Sequence, residues 1–266
     1  MRLASPSCTR YVTRDRLVVE VHGTRQALGL AAARAAAAFI RDTIAVRGEA
    51  RVIFACAPSQ DEFLAALVDP GQTGVEIKWS AVTAFHMDDY VGLPATHPQS
   101  FRSYLRTHLL SRVHLAHFHP IEAESSDLEA MCARYAALLS ERPIDLICMG
   151  IGENGHIAFN DPGVAEFEDG QLVKQVQLDQ KCRQQQVNDG CFPTFEAVPR
   201  SAISLTVPVF RRARRLSIHV PGRRKADAVT ATLTGEITPE CPASILRLHP
   251  SAVLYVDADA ASALPA

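Results

Sequence analysis

The stretch DLICMGIGENGHIAFNDPG, residues 145–163, constrains this chain more than any other. It opens as a short apolar run, from Ile144 to Met149, bounded by Pro143 and Gly150. A run without polar alternation is how a strand covered on both faces of a parallel sheet reads. It then breaks into a segment with three glycines among residues 150–155. Glycine lets the chain turn sharply where the strand ends, and open α/β sheets bind their ligands in the crevice at that end. Asn154, His156, Asn160 and Asp161 all fall there, so an amide, an imidazole and a carboxylate are presented together. An imidazole between such groups can be held in one tautomer and shuttle protons. The plainer alternative is an Asx-rich turn that caps a helix. Such a turn seldom needs glycine, histidine and two Asx groups so closely spaced.

The rest of the chain alternates strands and helices. Residues 16–21 read as a first strand, and 24–46, with nine alanines and no proline, as a helix. Residues 51–57 are a buried strand, followed by a turn in which Ser59 is the expected N-cap of the next helix. A strand is expected over 75–85 and a helix over 100–111. A His-rich connector follows at 114–120, read as a solvated loop rather than a metal site because no carboxylate or cysteine lies among its histidines. Ser126 begins a capping-box pattern whose helix runs to about 139. Residues 166–191 are polar and irregular and are expected to form a loop or lid. Strands at 202–207, 216–220 and 252–256 and a helix at 223–233 complete the chain, with a frayed tail expected from about 257. With no repeat and no long linker, the expectation is one domain over residues 1–266. Its fold class is α/β: a doubly wound, mostly parallel sheet with helices on both faces, Rossmann-like.

Composition excludes several partners. A net charge of −2 gives no basis for nucleic-acid or anionic-membrane binding. No apolar run approaches the roughly 20 residues of a membrane span, and the first residues lack the pattern of a secretory signal. Seven scattered cysteines without a C-x-x-C pair read as reduced thiols of a cytoplasmic protein, with no zinc site expected.

A second constellation, FHMDDYVGLPATHPQSF at 85–101, also follows a predicted strand. Adjacent Asp88 and Asp89 repel unless they face different ways. One then points into the crevice as a base, and the other outward or to the loop backbone.

These two stretches resemble the signature regions of the glucosamine-6-phosphate deaminase (isomerase) family, which is similar in fold to 6-phosphogluconolactonases. VPRSAISLTV, GRRKADAV and LRLHPSAVLYVD extend the resemblance over about residues 50–257. It implies aldose–ketose isomerisation with loss of ammonia from an amino-sugar phosphate. By position, Asp88 matches the base that moves a proton between C2 and C1. His156 matches the ring-opening imidazole, assisted by Asn154, and Asp161 stands where the family usually has Glu. Lys225, at a helix start, matches a phosphate-binding lysine. No metal or organic cofactor is implied, because the open-chain aldehyde acidifies the C2 proton. The oligomeric state stays open, a homo-oligomer among the options.

The sequence also departs from the family. The phosphate loop, usually rich in Gly, Ser and Thr, reads Ala57-Pro58-Ser59-Gln60-Asp61-Glu62. Proline removes a donor and two carboxylates adjoin the expected phosphate, with Ser59 retained to bind it; the other outcome is a related substrate whose tail meets Gln60 and the CRQQQ segment, residues 182–186, instead. An arginine expected before the VPR motif is missing, with Arg183 as a substitute. The basic allosteric segment after the His motif is acidic here, Glu166 to Asp169. Weaker phosphate binding follows from these changes. Lactone hydrolysis and a non-catalytic sugar-phosphate sensor are the competing functions. The first lacks its usual run after the histidine, and the second has no need of Asp88, Asn154 and His156 together.

Overall fold

Strands that are apolar at successive positions must be covered on both sides, and the central strands meet that requirement. The structure, a computed structural model, describes residues 8–264. In chain order the strands are β1 (Cys8–Arg14), β2 (Leu17–His22), β3 (Ala50–Phe54), β4 (Val82–His86), β5 (Asp88–Tyr90) and β6 (His117–His119). They continue as β7 (Leu146–Met149), β8 (Val173–Gln177), β9 (Ser201–Leu205), β10 (Arg215–Val220) and β11 (Ala252–Asp257). The helices are α1 (Arg25–Arg47), α2 (Asp61–Leu67), α3 (Pro70–Thr73), α4 (Phe101–Leu105), α5 (Leu128–Ser140), α6 (Gln180–Asn188), α7 (Val207–Arg212) and α8 (Ala226–Thr234).

Eight strands form one sheet in the order β1-β2-β11-β10-β7-β3-β4-β6. Every pair is parallel except the β1–β2 hairpin. Side chains alternate between faces. Leu146 and Cys148 of β7 share a packed cluster with Leu28, Ala32, Ala36 and Ile40 of α1. Ile147 and Met149 join Met131 and Leu139 of α5 and Val229 and Leu233 of α8 on the other side. The sheet is therefore doubly wound, as the sequence predicts. α1 forms because its alanines cost little entropy. Its ends are fixed by Thr24, whose side chain accepts from Ala27 N, and by Gly48 at φ 81°.

The strand order places the site. From β3 the chain moves outward to β4 and β6, then returns to β7 on the other flank of β3. The loops after β3 and β7 thus diverge from a switch point, where a crevice opens.

Several expectations change. The strand expected from residue 75 begins only at Val82, because Ile77 and Trp79 anchor a connection against the α1-side cluster instead of alternating in a sheet. The connector at 114–120 is not simply a solvated loop, since His117–His119 pairs with β4 as an edge strand. Residues 166–191 contain β8 and α6. The buried face of α6 is largely polar, Gln185 and Gln186 beside Cys182, so it carried no apolar period. The strand near 202–207 belongs to a separate antiparallel sheet, ordered β5-β9-β8. Ser59 does not cap α2, which follows a 3-10 turn, and Asp127 rather than Ser126 caps α5. The chain after Asp257 is held: the Asp257 carboxylate accepts from Gly222 N (3.0 Å) and Ala260 N (2.8 Å), and Ala260 is buried.

Leu146→Ala removes buried side-chain volume from the centre of this sheet and is expected to cost about 2–5 kcal/mol. Val46→Ala, at an exposed position of α1, should stay within about 0.5 kcal/mol. Urea-unfolding midpoints of the two variants check the contrast.

Candidate active site

The β3 loop, the β7 loop, the end of β4 and the start of α8 converge on one cavity. Its lining includes Ser59, Gln60, Asp88, Gly152, His156 and Lys225. Asp88 and His156 therefore face the same space, as the sequence reading requires.

The imidazole is placed by glycine geometry. A Cβ on Gly152 would lie 2.2 Å from His156 Cε1, so the ring occupies the volume that any side chain there would fill. His156 Nδ1 lies 2.7 Å from Asn154 Oδ1 and 3.0 Å from Asp161 Oδ1. Asn154 Nδ2 donates to Asp161 Oδ1 (3.0 Å) and Asp179 Oδ2 (3.1 Å), which turns the Asn154 oxygen toward the ring. Nδ1 sees only acceptors and carries the proton; in the neutral ring Nε2 is then left as the acceptor. Asp161 is fully buried. Burial works to raise its pKa, but the hydrogen bond from His156, the charge of that ring, the Asn154 amide and the Asp179 N–H outweigh it. They hold the carboxyl below its ordinary value. Ala158, also at the cavity, sits at φ 49°, a left-handed conformation that costs a non-glycine residue about 1 kcal/mol or more. The bonds of the neighbouring Asn160 side chain to Ile157 O (2.8 Å) and Leu205 O (2.7 Å) hold the turn.

Asp88 is the opposite case. It is 6% exposed, and no hydrogen-bond or ionic partner for its carboxylate is present among the described residues. Burial, with the adjacent Asp89 charge adding to it, pushes its pKa well above the ordinary carboxylate range. Asp89 faces away into the loop, where it accepts from Tyr90 N (2.9 Å), Ser100 Oγ (3.2 Å), Phe101 N (3.0 Å) and Arg102 Nε (2.8 Å). The two adjacent acids have separate surroundings, which makes Asp88 the one free to meet a ligand.

At the far end, Lys225 is only 7% exposed, and its ammonium has no hydrogen bond or ion pair among the described residues. Burial lowers its pKa, opposed by the charges of Asp189 and Glu153. Ser59 is oriented through a buried chain. Burial pushes His219 down to about 3, so its ring is neutral. His219 lies 2.7 Å from Gln60 Oε1 and 2.8 Å from Ser217 Oγ. The Gln60 oxygen can only accept, so His219 Nδ1 carries the hydrogen. Gln60 Nε2 in turn donates to Ser59 Oγ (3.0 Å), leaving the Ser59 hydroxyl hydrogen for the cavity. The feared carboxylates are turned away: Asp61 accepts from Tyr104 Oη (2.6 Å) and Glu62 from Arg25 Nε (2.6 Å).

Arg183 does not substitute for the missing arginine. Its Nη2 donates to Phe195 O (2.7 Å) and Val198 O (2.9 Å), and its guanidinium stacks over the Phe195 ring away from the cavity lining. The acidic segment 166–169 is engaged too, Asp169 with Lys174 and Glu168 with Arg211. Sequence reasoning missed Arg25, Gln185, Gln186 and Asp189 in the lining; only the CRQQQ run hinted at the second and third. The donor atoms of His156, Asp161 and Cys182 also lie within 4.8 Å of one another. Burial, then the Asp161 and Asp179 charges, push the Cys182 thiol well up, so it keeps its proton and is a poor metal ligand.

A carboxylate and an imidazole facing one cavity at the switch point of a doubly wound sheet are the equipment of an α/β proton-transfer enzyme. The family model for glucosamine-6-phosphate isomerases/6-phosphogluconolactonase matches residues 23–255, and the chain belongs to that family. The glucosamine-6-phosphate deaminase of Listeria welshimeri is 36% identical over 189 residues, covering 71% of this chain and 79% of that one. The solved structure of a monomeric glucosamine-6-phosphate deaminase is similar with a TM-score of 0.83 at 29% identity, over 92% of this chain and 99% of that one. A 6-phosphogluconolactonase from Shewanella baltica shares the fold, with a TM-score of 0.74 at 19% identity over 92% and 100% of the two chains. Among the described residues, no helix is long and apolar enough to cross a membrane.

In Gly152→Ala the His156 ring must leave its place and its bond to Asp161 breaks. Asp161, whose ionised form that bond favours, should then titrate at a higher pH than in the wild type. A carboxyl-carbon NMR titration reads this directly, and an unchanged Asp161 curve would contradict the geometry.

Proposed function

We propose that the protein converts glucosamine 6-phosphate and water to fructose 6-phosphate and ammonia, with Asp88 and His156 as its proton-transfer groups. One observation carries the reading. Among the described residues, a carboxylate without protein partners, an imidazole with Nε2 free and an unpaired ammonium line a single cavity. The names of the relatives support the same activity.

The residues divide the work. His156 Nε2 takes the proton of the anomeric hydroxyl and returns it to the ring oxygen, opening the sugar to its aldehyde; Asp161 and Asn154 stabilise the imidazolium that forms in between. The aldehyde acidifies the proton on C2. Asp88 removes that proton as O1 is protonated, and delivers it to C1 as the nitrogen gives up a proton in turn, giving the C2 imine of the ketose. Water adds at C2, the C–N bond breaks, and ammonia leaves with fructose 6-phosphate. The raised pKa of Asp88 suits a base that must give its proton back. At the other end, Lys225 and the Ser59 hydroxyl receive the phosphate. Lactone hydrolysis needs water activation but no proton transfer between two carbons, so the unpartnered Asp88 favours the isomerase.

Ammonia release from glucosamine 6-phosphate tests the reading. Asp88→Asn should cut kcat by about two to four orders of magnitude with the melting temperature little changed. Since Asp88 acts ionised and its pKa is raised, kcat/KM should fall on the acid side at a pH clearly above the ordinary carboxylate value of about 4, and Asp88→Asn should remove that limb. Hydrolysis of 6-phosphogluconolactone without ammonia release from the amino sugar would reassign the function.

A further inference from the structure

We infer that Arg25 is the second cationic contact for the substrate's phosphate and a specificity determinant for phosphorylated sugars. This rests on the phosphate reading above and extends it to a residue outside the family's signature motifs. A phosphate monoester carries about −1.5 to −2 charges near neutral pH, and Lys225 supplies one positive charge. Among the described residues lining the cavity, Arg25 and Lys225 are the arginine and lysine side chains. Arg183, the expected alternative, is committed elsewhere.

The structure places Arg25 by means unrelated to the loop it serves. Arg25 opens α1, and one turn later Gly29 meets α2. A Cβ on Gly29 would lie 2.7 Å from Glu62 Cβ and 2.9 Å from Phe63 N, so only glycine lets the two helices close to this separation. That closure brings the first turn of α1 over the β3 loop. Arg25 Nε then donates to Glu62 Oε1 (2.6 Å) and Nη2 donates to Pro58 O. A guanidinium has five N–H donors; these two bonds leave both hydrogens of Nη1 and one of Nη2 unclaimed among the described residues, on a side chain that lines the cavity. Glu62, which looked like a charge opposed to phosphate, instead holds the arginine that attracts it. Pro58, which removes a backbone donor, supplies the carbonyl that aims the fork. The loop lost backbone donors, and α1 brings a guanidinium, which can contact a phosphate in a bidentate way, to the same cavity.

Calorimetric titration with inorganic phosphate and with fructose 6-phosphate tests this in the full-length protein. Arg25→Gln should weaken both by ten- to a hundred-fold, the usual effect of losing one charge-assisted contact. Arg25→Lys should recover part of the loss, and KM for glucosamine 6-phosphate should rise far more than kcat falls. Glu62→Gln, which frees the guanidinium, should weaken binding by less than Arg25→Gln. Circular dichroism and melting temperature establish that each variant is folded; if Arg25→Gln does not fold, Arg25→Lys is read alone, with a several-fold loss expected. Phosphate binding within twofold of the wild type in Arg25→Gln overturns the inference, or in Arg25→Lys where that variant is read alone. So does a wild type that binds neither probe. A wild type that binds fructose 6-phosphate through Arg25 yet releases no ammonia would instead sink the proposed reaction and leave this inference standing.

Discussion

The site depends on β9 more than on any residue that would touch substrate. This strand is the middle of the small antiparallel sheet. Along one edge it pairs with β5, setting Asp88 opposite Ser204. The Ser204 hydroxyl accepts from Phe159 N (3.0 Å), and the Leu205 carbonyl accepts from the Asn160 side chain. Along its other edge it pairs with β8, which leads into Asp179, and Asp179 N donates to Asp161 (3.3 Å). The loop bearing the imidazole follows β7 of the main sheet, whereas the strand bearing the carboxylate, β5, follows β4 and belongs to the small sheet. β9 ties them together through backbone pairing and side-chain hydrogen bonds. The aromatic cluster of Tyr90, Phe101, Phe159 and Phe192 packs around the same junction.

Within that frame, environment rather than residue type separates the acids. Asp88 and Asp161 are both buried carboxyls, yet their pKa values move in opposite directions. Asp161 receives hydrogen bonds from an imidazole, an amide and a backbone N–H, all of which favour the anion. Asp88 receives none and sits beside another acid. Divergence of this kind suits the two roles proposed for them, a fixed anion beside an imidazolium and a proton acceptor. The end proposed for phosphate follows the same logic with cations: Lys225 is unpaired among the described residues, and Arg25 is held by Glu62.

Much of this was legible in the sequence because it was written in local patterns. The apolar run before Gly150 announces a doubly covered strand, and glycine spacing announces the turn that bares His156. Asp88 was legible for the same reason, as a polar break at a strand end. What escaped was non-local. β8 and α6 read as a loop in the sequence because α6 buries glutamines against a polar site and so lacks an apolar period. Arg183 sits on that helix but on the face turned to Phe195, which spacing cannot reveal. Arg25 lies some thirty residues before the loop it contacts, and its place depends on a helix contact through Gly29 that no motif records. Adjacency in the sequence sets Asp61 and Glu62 against phosphate, whereas in the fold their side chains turn to Tyr104 and Arg25.

The account stands on one orientation of the sugar in the cavity. The most direct measurement is a crystal structure with an open-chain reduced analogue, 2-amino-2-deoxyglucitol 6-phosphate, which binds but cannot isomerise. The account predicts the carbons corresponding to C1 and C2 within about 3.5 Å of an Asp88 carboxylate oxygen. The O5 hydroxyl should lie within hydrogen-bond reach of His156 Nε2, with the phosphate at Lys225 and Ser59. A ligand bound the other way round, with its phosphate at His156 or its C2 far from Asp88, would contradict it.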